Sequence, residues 1–359
     1  MASVASTCIS SPDVVIPSAT TASTATVSSP LSVRTAGKRK REDPRDDDDD
    51  VSQGISKKYK SKEPHFDDVY TWDGSHLGSG GFGFVIPCVH RQTGQRVAVK
   101  VVKVSKLSRH QRVLREIQLA SLFRTCPTIV DVVEYFEEDD HCYTVYKRME
   151  GGDLADFLRE HGPLSLSDAS KVCSDVAYAL YEMHMKGIAH RDVKPANILC
   201  ERSMSPSPAR LADFDRASKV PANQERCWNK PEPMTEPCGT ALYLAPEMVG
   251  CYRKVQGACY TTKADLWSLG VTLYRLVFDE RPFTRCCPVH RRKQDQTCRA
   301  CQDALYDQIQ VGSSSFPDDC DFYVSDAAKD IISRLLVVDP AQRMSARDVL
   351  LHPFVTSSC

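Results

Sequence analysis

From about Val69 onward the apolar positions become periodic. The stretch Val69–Lys100 reads as strands broken by glycine-rich turns. Arg109–Phe123 has helical spacing, with Val113, Ile117 and Ala120 on one face. Tyr143–Arg148 reads as a strand running into a linker that contains Gly151-Gly152. Beyond it, Asp168–Lys186 and Lys263–Phe278 predict long helices, and Asp326–Leu336 and Ser345–Leu351 shorter ones. A β-rich first part followed by an α-rich part implies an α+β chain with two lobes and a cleft between them.

Residues 1–65 carry no such period. They are rich in Ser, Thr, Ala and Val, then pass through Lys38-Arg39-Lys40-Arg41, the acidic run Asp46 to Asp50, and Lys57, Lys58, Lys60 and Lys62. A segment with so little apolar surface to bury does not offset its ordering entropy, so a disordered tail is expected. Lys38–Arg41 reads either as a nuclear-import signal, with a nuclear import receptor as partner, or as a solvated charge run. A transit peptide is the weaker alternative, because arginine is nearly absent from residues 1–36.

Composition narrows the class. A net charge of −1 gives no global reason to expect nucleic acid as a partner. No run approaches the ~18 apolar residues that span a bilayer, so a soluble protein is expected. The sixteen cysteines follow no secretory leader and read as reduced thiols, which fits an intracellular protein of nucleus or cytoplasm.

The chemistry lies in an ordered series of motifs. Gly78-Ser79-Gly80-Gly81-Phe82-Gly83-Phe-Val85 allows backbone amides to approach phosphate oxygens where side chains would collide. A dinucleotide fold is disfavoured, because such a loop should open a helix, whereas Phe84-Val85-Ile86 continues as strand. Lys100 closes the apolar run Val97-Ala98-Val99, so its ammonium needs partners: phosphates, and a helix carboxylate such as Glu116. His190-Arg191-Asp192-Val-Lys194-Pro-Ala-Asn197 follows, then Asp213-Phe214-Asp215 and Ala245-Pro246-Glu247. Asn197 and Asp213 are hard oxygen donors suited to Mg²⁺.

This series resembles the serine/threonine protein kinase family over roughly residues 70–355. The resemblance implies a two-lobed fold, with a small β-rich lobe over residues 70–146, one main helix within it, and a larger helical lobe over 150–355. It implies ATP and Mg²⁺ as cofactors and proteins bearing Ser or Thr as substrates. Asp192 takes the general-base role, Lys194 stabilises charge on the γ-phosphate and marks the Ser/Thr-directed branch, and Lys100 pairs with Glu116. Ala98 and Leu199 occupy the positions that sandwich adenine. Tyr146 to Met149, with Lys147 and Met149 on the adenine edge, align with the segment between lobes, and Tyr146 stands at the back of the pocket. Asp265 resembles the buried aspartate that pins the catalytic loop, and Glu247 with Arg343 a structural ion pair. Thr240 is expected near Asp192, and Glu236 as a fixed negative charge for Arg191.

Two features depart from the family pattern. Asp215 stands where glycine is usual; it tolerates left-handed geometry but adds negative charge near the metals. A pseudokinase that serves as an ATP-binding scaffold is therefore the rival reading. The second is a cysteine-rich insertion at 284–302, in which Cys286 or Cys287 with His290, Cys298 and Cys301 has zinc-like spacing. The simpler account is a basic loop of free thiols. Asp153 hints at a basic residue upstream of the target hydroxyl, or simply caps a helix.

Overall fold

The computed structural model describes residues 64–80, 83–104, 106–219, 234–284, 298–317, 320 and 324–357, and the backbone of 33–35. The chain order is β1 (Val33–Thr35), α1 (Phe66–Val69), β2 (Tyr70–Trp72), β3 (Gly78–Gly80), β4 (Gly83–His90) and β5 (Arg96–Lys103). Then come α2 (Leu107–Ser121), β6 (Val132–Glu138), β7 (His141–Lys147), α3 (Leu154–His161) and α4 (Leu166–Met185). Next are β8 (Ile188–Ala189), β9 (Ile198–Arg202), β10 (Ser205–Leu211) and β11 (Ser218–Lys219). The chain closes with α5 (Pro246–Tyr252), α6 (Lys263–Phe278), α7 (Arg299–Val311), α8 (Asp326–Leu335), α9 (Ala346–Leu350) and α10 (Pro353–Thr356).

The first lobe is a sheet in the order β1-β6-β7-β5-β4-β2, with β3 folded back on β4. All its pairings are antiparallel except β1 on β6. Val33–Thr35 thus forms a strand inside the segment expected to lack structure, on the outer edge of β6. The alternation of Val97, Val99 and Val101 on β5 turns these three into a small core with Ile86, Cys88, Phe136, Val145, Phe66 and Tyr70. Stripes of period two on a half-covered sheet produce such a core.

The second lobe is organised around α6. Thirteen of its sixteen residues are buried, and a helix apolar on all sides belongs at the centre of a core. α4 and α8 pack on it, and α2 of the first lobe shares the same continuous apolar cluster through Val113, Ile117 and Ala120. α4 begins two residues before the predicted start because Ser165 caps it, accepting the Asp168 amide.

The insertion at 284–302 was expected to be a loop, yet its last residues are helical. Cys298 is the N-cap of α7, and Cys301, Leu305, Tyr306 and Ile309 form a buried stripe at helical spacing. No helix of the described residues is long and apolar enough to cross a membrane.

Candidate active site

The cleft between the lobes holds a cavity of about 480 Å³, within the usual range for small-molecule sites. Gly78, Ser79, Gly83 and Val85 roof it from β3 and β4, and Ala98 and Leu199 face each other across it. Lys147 and Met149 line the segment joining the lobes, and Tyr146 stands at the back. Gly80 pairs with Gly83 at the end of the hairpin, while Gly81 and Phe82 lie outside the described residues. Gly83 has no alternative: a Cβ there would lie 2.1 Å from the Val101 carbonyl oxygen.

Lys100 projects from β5 into this cavity. Its Nζ donates to Glu116 Oε1 at 2.7 Å and Oε2 at 2.9 Å, and to Asp213 Oδ1 at 3.2 Å. Burial lowers the Lys100 pKa, but the carboxylates of Glu116 and Asp213 more than reverse this, so the amine stays charged. Burial raises the Glu116 carboxyl, opposed by Lys100. Desolvation also pushes Asp213 up, and there the Lys100 ammonium wins, leaving the group below its ordinary value. Tyr146 donates its hydroxyl to Glu116 Oε1 at 3.1 Å, so the bulky residue at the back steadies the ion pair.

The opposite wall carries the catalytic loop. Asp192 Oδ1 accepts from the Thr240 hydroxyl at 2.7 Å, and Asp192 Oδ2 from Lys194 Nζ at 2.8 Å. Lys194 Nζ also donates to Thr240 Oγ1 at 2.8 Å, which closes a triangle. Asn197 Nδ2 donates to the Asp192 backbone carbonyl at 2.8 Å, which leaves the amide oxygen as the atom able to meet a cation. The close approach of Gly239 to the loop requires glycine, since φ is +103° and a Cβ would lie 2.8 Å from the Arg191 carbonyl oxygen.

Asp265 holds that loop from below. Its carboxylate accepts from the His190 amide at 2.9 Å, the Arg191 amide at 2.8 Å and His184 Nε2 at 2.9 Å. Burial raises its pKa, but these donors, the His184 hydrogen bond foremost, bring it below the ordinary value. Arg343 meets Glu247 at 2.7 and 3.0 Å beneath the Ala245-Pro246-Glu247 segment, as expected.

Three expectations change. The left-handed residue of the Asp-Phe-Asp turn is Asp213, with φ at +65°, whereas Asp215 lies in the short 3₁₀ turn that follows. Its carboxylate does not stand among the cation donors either, because both oxygens are taken by Arg112 of α2. Arg191 does not meet the Glu236 carboxylate, which is exposed. It donates instead to the Arg216 carbonyl and the Tyr260 hydroxyl, and Tyr260 donates to the Glu236 backbone carbonyl. Asp153 caps α3, accepting the Ala155 and Asp156 amides at 2.8 and 2.9 Å, so the capping account is sufficient for it.

Of the zinc-spaced residues, Cys287 and His290 lie outside the described residues; Cys298 is half-buried and Cys301 buried. Among the described residues no three His, Cys, Asp or Glu side chains gather as a metal site. Sequence reasoning did not select Arg112 or Arg216, whose Nε lies 3.6 Å from Asp192 Oδ2. Arg112 carried one signal: it precedes Glu116 by four residues, hence on the same helix face.

A roof of glycine backbone, a paired lysine and a carboxylate–lysine–hydroxyl triangle are the parts that phosphoryl transfer requires. The protein kinase domain model matches residues 72–355. The chain belongs to the protein kinase family. It is similar to MAP kinase-interacting serine/threonine-protein kinase 1 of Xenopus tropicalis, 37% identical over 291 residues, covering 81% of this chain and 70% of that protein. It is 36% identical to MAP kinase-interacting serine/threonine-protein kinase 2 of Xenopus laevis, over 81% of this chain and 62% of that one. The nematode protein mnk-1 of Caenorhabditis elegans is also 36% identical, over 82% of this chain and 42% of its own length. The kinase is thus of the serine/threonine class, an enzyme of mixed α+β fold that acts on protein substrates, and its domain implies ATP and Mg²⁺.

Proposed function

We propose that each polar group of the cleft has a distinct part in moving the ATP γ-phosphate to a Ser or Thr hydroxyl. The observation that carries the assignment is the Asp192–Lys194–Thr240 triangle, joined through Asn197, which donates to the Asp192 carbonyl, to the cavity that Asn197 lines with Lys100, Glu116 and Asp213. Asp192 orients the acceptor hydroxyl and takes its proton as the O–P bond forms and the bond to the β-phosphate oxygen breaks. Lys194 places its ammonium against charge on the transferring phosphoryl group. Lys100, held by Glu116, binds the phosphates that the glycine roof covers. Ala98 and Leu199 clasp the adenine, with the Lys147–Met149 segment along its edge.

The donor set fits Mg²⁺. Asp213 offers an anionic oxygen and Asn197 an amide oxygen, both hard and both lining the cavity. The ion supplies neutralisation of phosphate charge when bound.

The test is γ-phosphate transfer from Mg·ATP to a degenerate Ser/Thr/Tyr peptide library, with Asp192→Asn beside the wild type. Transfer confined to Ser and Thr and lost in the variant is the expected result. Silence from wild type would return the chain to the scaffold reading, and equal transfer by Asp192→Asn would remove the base role from Asp192.

Three finer proposals concern segments beyond the cleft. The names of the relatives speak of interaction with MAP kinases, which supports a kinase of that class as a partner here. The basic run Lys38–Arg41 supports recognition by an import receptor and residence in the nucleus; its replacement by alanines should leave a tagged protein in the cytoplasm. The spacing of Cys287, His290, Cys298 and Cys301 supports a zinc ion, and a zinc-free preparation of unchelated protein would remove that proposal.

A further inference from the structure

Arg112 lies one turn before Glu116 on α2, and its guanidinium leaves the helix to meet the last residue of the Asp-Phe-Asp turn. Nε donates to Asp215 Oδ1 and Nη2 to Asp215 Oδ2, each at 2.5 Å, the fork-on-carboxylate geometry that only arginine can make. The Asp215 side chain is 6% exposed and that of Arg112 39%, so the carboxylate is the buried partner. A neighbouring contact runs in parallel, from Arg115 Nη2 to Ser218 Oγ at 2.7 Å. Phe214, between the two aspartates, is buried against Phe123 and His190 with ring centroids 5.9 and 5.6 Å away.

These contacts close a ring. Glu116 holds Lys100, Lys100 holds Asp213, the backbone leads from Asp213 to Asp215, Asp215 holds Arg112, and one helical turn returns to Glu116. We propose that Arg112 is a positioning residue for phosphotransfer, which fixes α2 so that Glu116 meets Lys100 when Asp213 faces the cleft. Glycine at position 215 offers no carboxylate to this ring, so in this chain the third residue of the turn is an anchor. Removing either partner leaves one charge without its fork, and for Asp215 that charge is nearly buried. The ring also explains why the added negative charge does not spoil the cation site: α2 neutralises it.

This inference rests on the phosphotransfer reading, and the experiment separates the two. Arg112→Gln, Arg112→Lys, Asp215→Asn and the double Arg112→Gln/Asp215→Asn are compared with wild type. The readouts are kcat and KM for Mg·ATP on a Ser/Thr peptide, melting temperature, and amide exchange across α2. Each single variant should lose about tenfold or more in kcat/KM for ATP, with Arg112→Lys less impaired than Arg112→Gln. The double should be no worse than the poorer single, because one ring is broken once. The charge-swapped pair Arg112→Asp/Asp215→Arg should regain part of the loss. Losses that multiply in the double, or singles with wild-type kcat and KM, would overturn the proposal. A fall in melting temperature with unchanged kinetics would also overturn it, marking a structural pair only. If wild type transfers no phosphate, the functional reading fails, and exchange alone judges the ring. Faster exchange of α2 in both singles supports it, and no change sinks it.

Discussion

The catalytic loop and the phosphate-facing end of α2 stand on opposite sides of one cleft, and different physics holds each. The loop hangs from Asp265, which is 1% exposed on a helix buried on all sides and whose oxygens accept two loop amides and a histidine. Moving the loop would strand a buried carboxylate, so its geometry is part of the fold itself. The α2 side has an apolar seam, and toward the cleft it is held by Lys100–Glu116 and Arg112–Asp215, pairs of buried carboxylates whose cations are 17% and 39% exposed. Lys100 and Arg112 also hold Asp213 and Asp215, so these pairs tie α2 to the Asp-Phe-Asp turn. The acid–base half of the site therefore hangs from a carboxylate sealed in the core, and the phosphate-binding half from ion pairs with partly exposed cations.

The sharpest break is Asp192→Asn. It should cut kcat by ~10³-fold, within the range of general-base loss, while the melting temperature of the protein stays near that of wild type. Intact turnover in this variant would mean that the loop holds no chemistry for Asp265 to protect.

Asp265→Asn attacks the anchor. Loss of the carboxylate should cost about 3 kcal/mol or more, since buried donors lose a charged acceptor, and denaturant unfolding measures it. The pH dependence carries a sign. Asp265 is held below its ordinary value near 3.8, so its ionised form stabilises the fold above that pH. The contribution is lost as pH falls through the folded-state value. Wild type and variant should therefore differ in stability at neutral pH and converge in acid; a constant gap would show that ionisation is not what Asp265 contributes.

Glu116→Gln weakens the other side without touching the loop. Phosphotransfer should fall by roughly 100-fold, chiefly through ATP use. An effect as large as that of Asp192→Asn would erase the distinction between the two halves. Smallest is Asp153→Ala, which removes the α3 cap and should cost about 1 kcal/mol. If peptide selectivity at upstream basic positions changed while stability did not, Asp153 would be a substrate contact as well as a cap.

Much of this was legible in the chain because it is local. The motif residues lie within short runs, and backbone proximity alone brings Asp192, Lys194 and Asn197 together. The long periodic helices α2, α4 and α6 appear near their expected bounds for the same reason. Elements with short or mixed patterns escaped: α3, α5 and the strands β8, β9 and β11 are brief, β10 carries two prolines among small polar residues, and α7 begins among cysteines that suggested a loop. The Arg112–Asp215 pair was hidden differently. Its partners are 103 residues apart in sequence, and an arginine on a helix surface usually belongs to water. Asp215 was noticed as a departure, but its sequence context pointed toward the metals. Only the packing of the turn under α2 shows that the carboxylate faces the other way.

The most direct measurement of the two-anchor account is amide hydrogen exchange of the kinase at low and high salt, comparing residues 188–197 with α2. Added salt shortens the screening length from about 10 Å at 0.1 M to about 3 Å at 1 M, which weakens the Arg112–Asp215 pair, whose guanidinium is 39% exposed, more than the contacts of Asp265, which is 1% exposed. Exchange should quicken in α2 and stay unchanged in the catalytic loop. Equal acceleration in both, or in the loop alone, would contradict the account.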